Sequence, residues 1–278
     1  MGNSFNFDVA TLRGLKRLER RQNIAYKVGD GIVTGGLHWR PDNEMREWLA
    51  ERRDAGIEWV GASFAGHGAI HDRWNGRQGD FDFLTRIQRI AADLGMKRME
   101  RLFVTKSLLP HVDELIERLN LIPGRARRFL CLFYYRGYAV RFEDDRITEE
   151  IRDGLPTHIA ALMSDLGEWR SEREWLKSVP DKRDYMSLQA LTLYLDEANV
   201  DRIESMSAED IVSDITQRTA KAYDAMPSLE ELAEKCGDPD NRKIYMSRGE
   251  IERKWLDDFV NKEPIRFERR LTYFSMEP

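Results

Sequence analysis

Residues 57–83 constrain this chain more than any other stretch. Ile57–Ser63 is apolar on both faces of an extended segment, and a glycine-rich polar loop follows it, Gly66-His-Gly-Ala-Ile-His-Asp72. Beyond it, Asp80 is a candidate N-cap for a helix that carries Phe83, Leu84, Ile87, Ile90, Ala91 and Leu94 on one face and stops at Gly95. A strand with two apolar faces needs cover on both, which is the condition of a parallel strand packed under helices. Strand, loop and amphipathic helix in that order form half of a βαβ unit.

The same alternation extends to either side. Leu12, Leu15 and Leu18 recur at helical spacing, and Ile24–Val33 suits a strand ending in Thr34-Gly35-Gly36. Pro41-Asp42-Asn43 opens a helix with Met45, Trp48 and Leu49 on its apolar face, and Gly56 stops it. Arg101–Ser107 reads as a strand, His111–Asn120 as a helix with Val112, Leu115, Ile116 and Leu119 inward, Arg128–Val140 as a strand region, and Thr148–Leu166 as helical. Such a series makes an α/β fold, closed into a barrel or opened into a doubly wound sheet. In both, ligands bind at the carboxyl ends of the strands.

The pattern changes after about residue 175. Leu191–Leu195 suits one more strand, and three helix starts follow at Ser207–Asp210, Ser228–Glu231 and Ser247–Glu250, the last two as capping boxes. Tyr245, Trp255, Phe259, Phe267, Tyr273 and Phe274 give this part bulk to pack on the first. The expected division is therefore residues 1–175, an α/β body, and residues 176–278, a mainly helical extension packed on it, with no flexible linker between them.

Composition narrows the function classes. With 44 basic and 49 acidic residues the net charge is −5, which favours neither nucleic acid nor an anionic membrane as partner. The clusters Arg13–Arg21 and Arg125–Arg128 lack interleaved aromatics and read as solvated faces. No apolar run approaches the ~20 residues of a membrane span, and the first residues lack the charged head and apolar core of a signal peptide, so a cytoplasmic location is expected. Cys131 and Cys236, the two cysteines, make no zinc or iron–sulfur spacing. Cys131 lies in the apolar run Phe129–Tyr135 and reads as a small buried hydrophobe.

Six side chains are candidates for chemistry. Ser63, at a strand end, offers its hydroxyl to a ligand or to the loop backbone; no Gly-x-Ser-x-Gly surrounds it. Thr34-Gly-Gly36 allows close approach of a ligand, or simply turns the chain. His67 and His71 are four apart, but the glycines around His67 disfavour the helix that would make that spacing a metal site. His71 with Asp72 is also a candidate acid–base pair. Arg136 pairs either a ligand carboxylate or the acidic run Glu143-Asp144-Asp145.

Read in order, Ser63-Phe-Ala-Gly66, His71-Asp72, Gly76 and Gly79-Asp-Phe81 resemble the fourth strand and following helix of radical S-adenosylmethionine enzymes. Val33-Thr-Gly-Gly36 resembles the end of their third strand, and Tyr135-Arg-Gly-Tyr138 with Arg146-Ile-Thr-Glu149 resembles their sixth strand and its helix. The resemblance covers about residues 10–170. It implies a partial (β/α) barrel of parallel strands with helices outside, S-adenosylmethionine and a [4Fe–4S] cluster as cofactors, Thr34 and Ser63 on the cofactor, and His71 and Arg136 toward a substrate that is a peptide or small molecule.

The chain departs from the family where it matters most. It has no Cys-x3-Cys-x2-Cys and no Gly-Gly-Glu on a second strand, and Asn75 stands where the family often has Arg. Only about 23 residues precede the strand at Ile24, too few for two βα units and a cluster loop. The expectation is a barrel without its first quarter: no cluster on this chain alone, no radical chemistry by itself, and a cluster-bearing half supplied from upstream sequence or a second polypeptide. The alternative expectation is a non-catalytic binding or partner protein on a degenerate (β/α) barrel.

Overall fold

The computed structural model describes residues 8–22, 29–135, 137–163, 168–179, 197, 199–224 and 227–262. In chain order the elements are α1 (Val9–Gln22), β1 (Gly31–Val33), α2 (Asp42–Asp54), β2 (Trp59–Phe64), α3 (Ala69–Asn75), α4 (Asp80–Asp93), β3 (Lys97–Phe103), α5 (Val112–Asn120), β4 (Ala126–Cys131), α6 (Glu149–Asp153), α7 (Thr157–Ala160), β5 (Arg170–Ser171), α8 (Glu172–Leu176), α9 (Val200–Glu204), α10 (Ala208–Asp224), α11 (Leu229–Cys236), β6 (Ile244–Tyr245) and α12 (Arg248–Lys262). Two compact units result: residues 1–133, 145–147 and 154–165, and residues 134–144, 148–153 and 166–278. Position 175 falls inside α8, in the second unit. No helix of the described residues is long and apolar enough to cross a membrane.

The first unit is α/β. Its sheet runs β1-β2-β3-β4 in sequence order, parallel throughout. Val60 lies opposite Arg98 and Ile32, and Glu100 opposite Ala62 and Arg128. Beyond β4, the Leu130 N–H donates to the Leu162 carbonyl at 2.6 Å. Residue alternation divides the sheet into two unlike faces. One carries Ile32, Val60, Ala62, Phe64, Arg98, Glu100, Leu102 and Leu130, all buried. Here α4 covers the sheet with Phe81, whose ring meets Phe64 at 5.9 Å, while Phe83 and Ile87 of the same helix are fully buried. Each such side chain contributes roughly 1.5–3 kcal/mol of burial.

This face also holds ions. Glu100 is fully buried between Arg128, 2.7 Å away, and Arg98, 3.4 Å away, and Arg128 reaches Asn120 of α5 at 3.0 Å. Arg128 is therefore not on a solvated face as its cluster suggests; alternation turns it inward while Arg125 and Arg127 stay exposed.

Several boundaries differ from the sequence reading. The third strand is Lys97–Phe103, not Arg101–Ser107: the chain turns at Gly95, whose φ is +73°, and enters the strand at once, with charged side chains masking the extended segment. Ser107 instead sits in a turn, its backbone N–H donating to the Asp145 carboxylate at 2.8 Å. β4 ends at Cys131, and the apolar residues after it lead into a 3₁₀ segment over Gly137–Asp145. In place of the one helix expected over 148–166, the described part holds two short helices, Glu149–Asp153 and Thr157–Ala160, separated at Gly154 and Pro156. Of the expected strand at 24–33, the described part is Gly31–Val33, and Leu191–Leu195 lies outside the described residues.

The second unit is mainly helical. Trp175, Leu229, Leu232, Tyr245, Ile251, Trp255 and Phe259 form its own core; Phe267, Tyr273 and Phe274 lie outside the described residues. All three Ser-x-x-acid segments precede helices. Ser207 and Ser228 cap their helices, accepting from the backbone N–H of Asp210 and Glu231 at 3.1 Å, but Glu231 accepts from Lys235 rather than returning a bond to Ser228, so the expected box there is only half formed. Glu250 does something else: its carboxylate accepts from the Tyr135 and Met246 N–H groups, both at 2.8 Å. The reciprocal capping box is at Ser171–Glu174, at the start of α8.

Candidate functional site

The loop after β2 is built around His71. The ring is fully buried, its Nδ1 accepts from the Ala65 N–H at 3.0 Å, and its Nε2 faces Asp80 Oδ2 at 3.1 Å. An accepting Nδ1 places the ring proton on Nε2, directed at the carboxylate. Asn75 and Arg77 also hold Asp80, at 2.8 and 3.3 Å. Burial raises the Asp80 pKa, but the hydrogen bonds from His71 and Asn75, together with the electrostatic pull of His71 and Arg77, outweigh it and leave the carboxyl below its ordinary value.

Asp80 is thus the first residue of α4 rather than its cap. That role falls to Asp72, whose carboxylate accepts from the Gly79 and Phe81 N–H groups at 2.6 and 2.9 Å. His71 and Asp72 do not form an acid–base pair, because each is spent on a different part of the backbone. His71 fixes the loop from inside, with no ring nitrogen left to meet a substrate.

Thr34 and Ser63 do not converge. Thr34 is fully buried and donates its hydroxyl to the Gly61 carbonyl at 3.1 Å, so its oxygen is absorbed in the β1–β2 junction. Ser63 lies on the other face of the sheet, half-buried, and its hydroxyl has no hydrogen-bond partner among the described residues. Arg136 lies outside the described residues. The acidic run proposed for it has other partners: Asp144 pairs with Lys243 at 3.1 Å, Glu143 accepts from the Tyr245 hydroxyl at 2.5 Å, and Asp145 holds Ser107.

Sequence reasoning missed Arg101. It stands opposite Ser63 in the β2–β3 register, on the same face, so the two backbones are roughly 4.8 Å apart. Its half-buried guanidinium lies over Phe129 at 6.0 Å and has no carboxylate partner among the described residues. The signal was the alternation in Lys97-Arg-Met-Glu-Arg-Leu-Phe103, which puts Met99, Arg101 and Phe103 together.

Around this pair the face is aromatic. Trp59 spreads across Gly31 and Gly61, fixed by an indole N–H bond to Asp30 at 2.9 Å; a Cβ on Gly31 would come within 1.9 Å of its ring. Trp74 of α3 stacks on Phe103, with centroids 6.0 Å apart and planes at 18°. A hydroxyl and an unpaired guanidinium between aromatic walls suit an anionic group joined to a flat or apolar body.

The donor set does not fit an iron–sulfur cluster. Cluster ligands are thiolates, and the whole sequence has two cysteines. Cys131 is buried in β4, where desolvation pushes its thiol up to about 12 against the opposing charge of Arg101. Cys236 is buried at the end of α11 in the other unit. Among protein-family models and curated proteins, no match to this chain was found.

Proposed function

We propose that this chain is a ligand-binding module on a partial (β/α) barrel of the radical S-adenosylmethionine kind, with no radical chemistry of its own. Its ligand carries an anionic group, and S-adenosylmethionine, with a carboxylate, ribose hydroxyls and a flat adenine, is the candidate that the sequence resemblance supplies. The observation that carries this reading is the side-by-side placement of Ser63 and Arg101 on the half-buried face of the sheet, the hydroxyl without a hydrogen-bond partner and the guanidinium without a carboxylate among the described residues. Arg101 contacts the carboxylate, Ser63 a ligand hydroxyl, and Trp59 or Trp74 the flat ring.

In this reading the cluster and the remaining strands come from another polypeptide or from upstream sequence. β1 supports such completion, since it has a strand neighbour on one side only among the described residues.

Calorimetry with S-adenosylmethionine on the parent, Ser63→Ala and Arg101→Gln tests the site. A charge-assisted hydrogen bond contributes ~1.5–3 kcal/mol, so Arg101→Gln should weaken binding roughly 10- to 150-fold. Ser63→Ala should weaken it roughly 2- to 10-fold, from ~0.5–1.5 kcal/mol. Neither should change the melting temperature. No binding to the parent at millimolar ligand, or equal binding by all three proteins, refutes the assignment.

A further inference from the structure

The second histidine of the β2–α3 loop belongs to a different constellation. His67 Nε2 lies 2.7 Å from Glu114 Oε2, and the His67 and His111 rings are 6.2 Å apart at 66°. One ring nitrogen from each histidine and one Glu114 oxygen all lie within 4.8 Å of one another. The Glu114 side chain is 47% exposed and that of His67 23% exposed, so an ion can reach them from solvent. The imidazole nitrogens of His111 have no hydrogen-bond partner among the described residues.

The local backbone explains the convergence. Gly66 and Gly68, with φ of +103° and +51°, flank His67 and turn the loop sharply on either side of it. A Cβ on Gly66 would stand 2.6 Å from Ile70, so this turn is closed to other residues. His111 is the residue before α5 and Glu114 lies in its first turn, three positions on, which puts both on one side of that helix. Two loops from adjacent strands therefore deliver three ligands to one point. The spacing signal is His111-x-x-Glu114 joined to His67, not the His67–His71 pair, since His71 is turned into the loop interior.

We infer that His67, His111 and Glu114 bind a divalent transition-metal ion of the zinc class. Two imidazoles and one carboxylate are a borderline donor set suited to zinc rather than to magnesium or calcium, which take oxygen ligands. Tetrahedral ligation at ~2.0–2.1 Å holds donor atoms about 3.3 Å apart. Rotations of these partly exposed side chains close the present separations to that distance, with the His67–Glu114 hydrogen bond exchanged for two metal bonds. The three protein ligands leave a fourth position for water or a small anion, the open form of a zinc site. This inference is independent of the Ser63–Arg101 reading.

The test uses the untagged full chain, stripped with a chelator and titrated calorimetrically with zinc. The expected result is one zinc per chain, a raised melting temperature, and a loss of affinity of about 100-fold in both His111→Ala and Glu114→Gln. His38→Ala, a change at an exposed histidine in another loop, should bind as the parent does. The absorption spectrum of the cobalt-loaded parent gives a second readout that needs no variant: four-coordinate nitrogen–oxygen ligation without thiolate charge transfer. No zinc binding by the parent overturns the site. So does a His111→Ala protein that remains folded and binds zinc as tightly as the parent, or a cobalt spectrum showing thiolate ligation.

Discussion

Replacing His71 by Leu tests whether the central histidine of the β2–α3 loop is structural. Leu has a similar volume and keeps contact with Phe64 and Phe81, whose rings lie 5.8 and 6.0 Å from the imidazole. It removes the acceptor for the buried Ala65 N–H and a hydrogen bond to Asp80. An orphaned buried donor costs ~1–3 kcal/mol and a hydrogen bond to a charged group contributes ~1.5–3 kcal/mol. Asn75 and Arg77 still hold Asp80, and a more apolar side chain recovers part of the loss. The net expectation is about 3 kcal/mol, or about 6–12 °C in melting temperature at ~2–4 °C per kcal/mol.

His71→Gln supplies the control. Its amide presents one acceptor and one donor at similar reach, so it should cost ~1 kcal/mol. Urea unfolding at neutral pH followed by circular dichroism, with an unchanged m-value, measures both. A Leu variant that loses under 1 kcal/mol, or a Gln variant that loses as much as Leu, refutes the reasoning. Acid adds a second check. The Asp80 carboxyl sits below its ordinary value near 3.8, so its stabilisation is present above that value and is lost as pH falls through the lower folded-state value. The gap between the parent and Asp80→Asn should close in that window.

Two further predictions concern other parts of the chain. Gly31→Ala should cost ~1–3 kcal/mol by forcing Trp59 from the sheet; pairing it with Trp59→Ala should abolish most of that increment in a double-mutant cycle, and additive losses would show that the ring is not what the methyl meets. Burial, opposed by Arg253 and reinforced by Asp258, lifts the Asp257 carboxyl to about 6; its raised value makes stability fall as pH rises from ~4 through 6, so Asp257→Asn should be more stable than the parent by ~1–3 kcal/mol above that range and no different near pH 4.

The α/β class was legible because βαβ periodicity is local. Apolar spacing in 42–54 and 80–93 predicts α2 and α4, and Ser207, Ser228 and Ser247 mark three real helix starts. β3 starts four residues before the segment that apolar content marks, because Lys97–Arg101 satisfies alternation with charges. Buried Glu100 is held between Arg98, two residues away, and Arg128, 28 residues further on, which arrives from β4. No local window contains that pairing.

The site was hidden for the same reason, and the form of the error is instructive. Sequence proximity suggests His71 with Asp72 and His67 with His71, but on α3 His71 turns inward to Ala65 and Asp80 while Asp72 holds the Gly79 and Phe81 N–H groups, and the glycines flanking His67 direct it to Glu114. What the fold joins instead are Ser63 with Arg101 on neighbouring strands, His71 of α3 with Asp80 of α4, and His67 of the β2–α3 loop with His111 and Glu114 at the start of α5. In a parallel sheet, register sets these encounters, and a strand boundary wrong by even one residue would turn Arg101 to the opposite face. A serine at a strand end is therefore informative only after the adjacent strand has been placed. Here that placement sets Arg101 beside Ser63 on one face of the sheet, and the proposed anion site rests on this pairing of a cation with a hydroxyl rather than on cysteines.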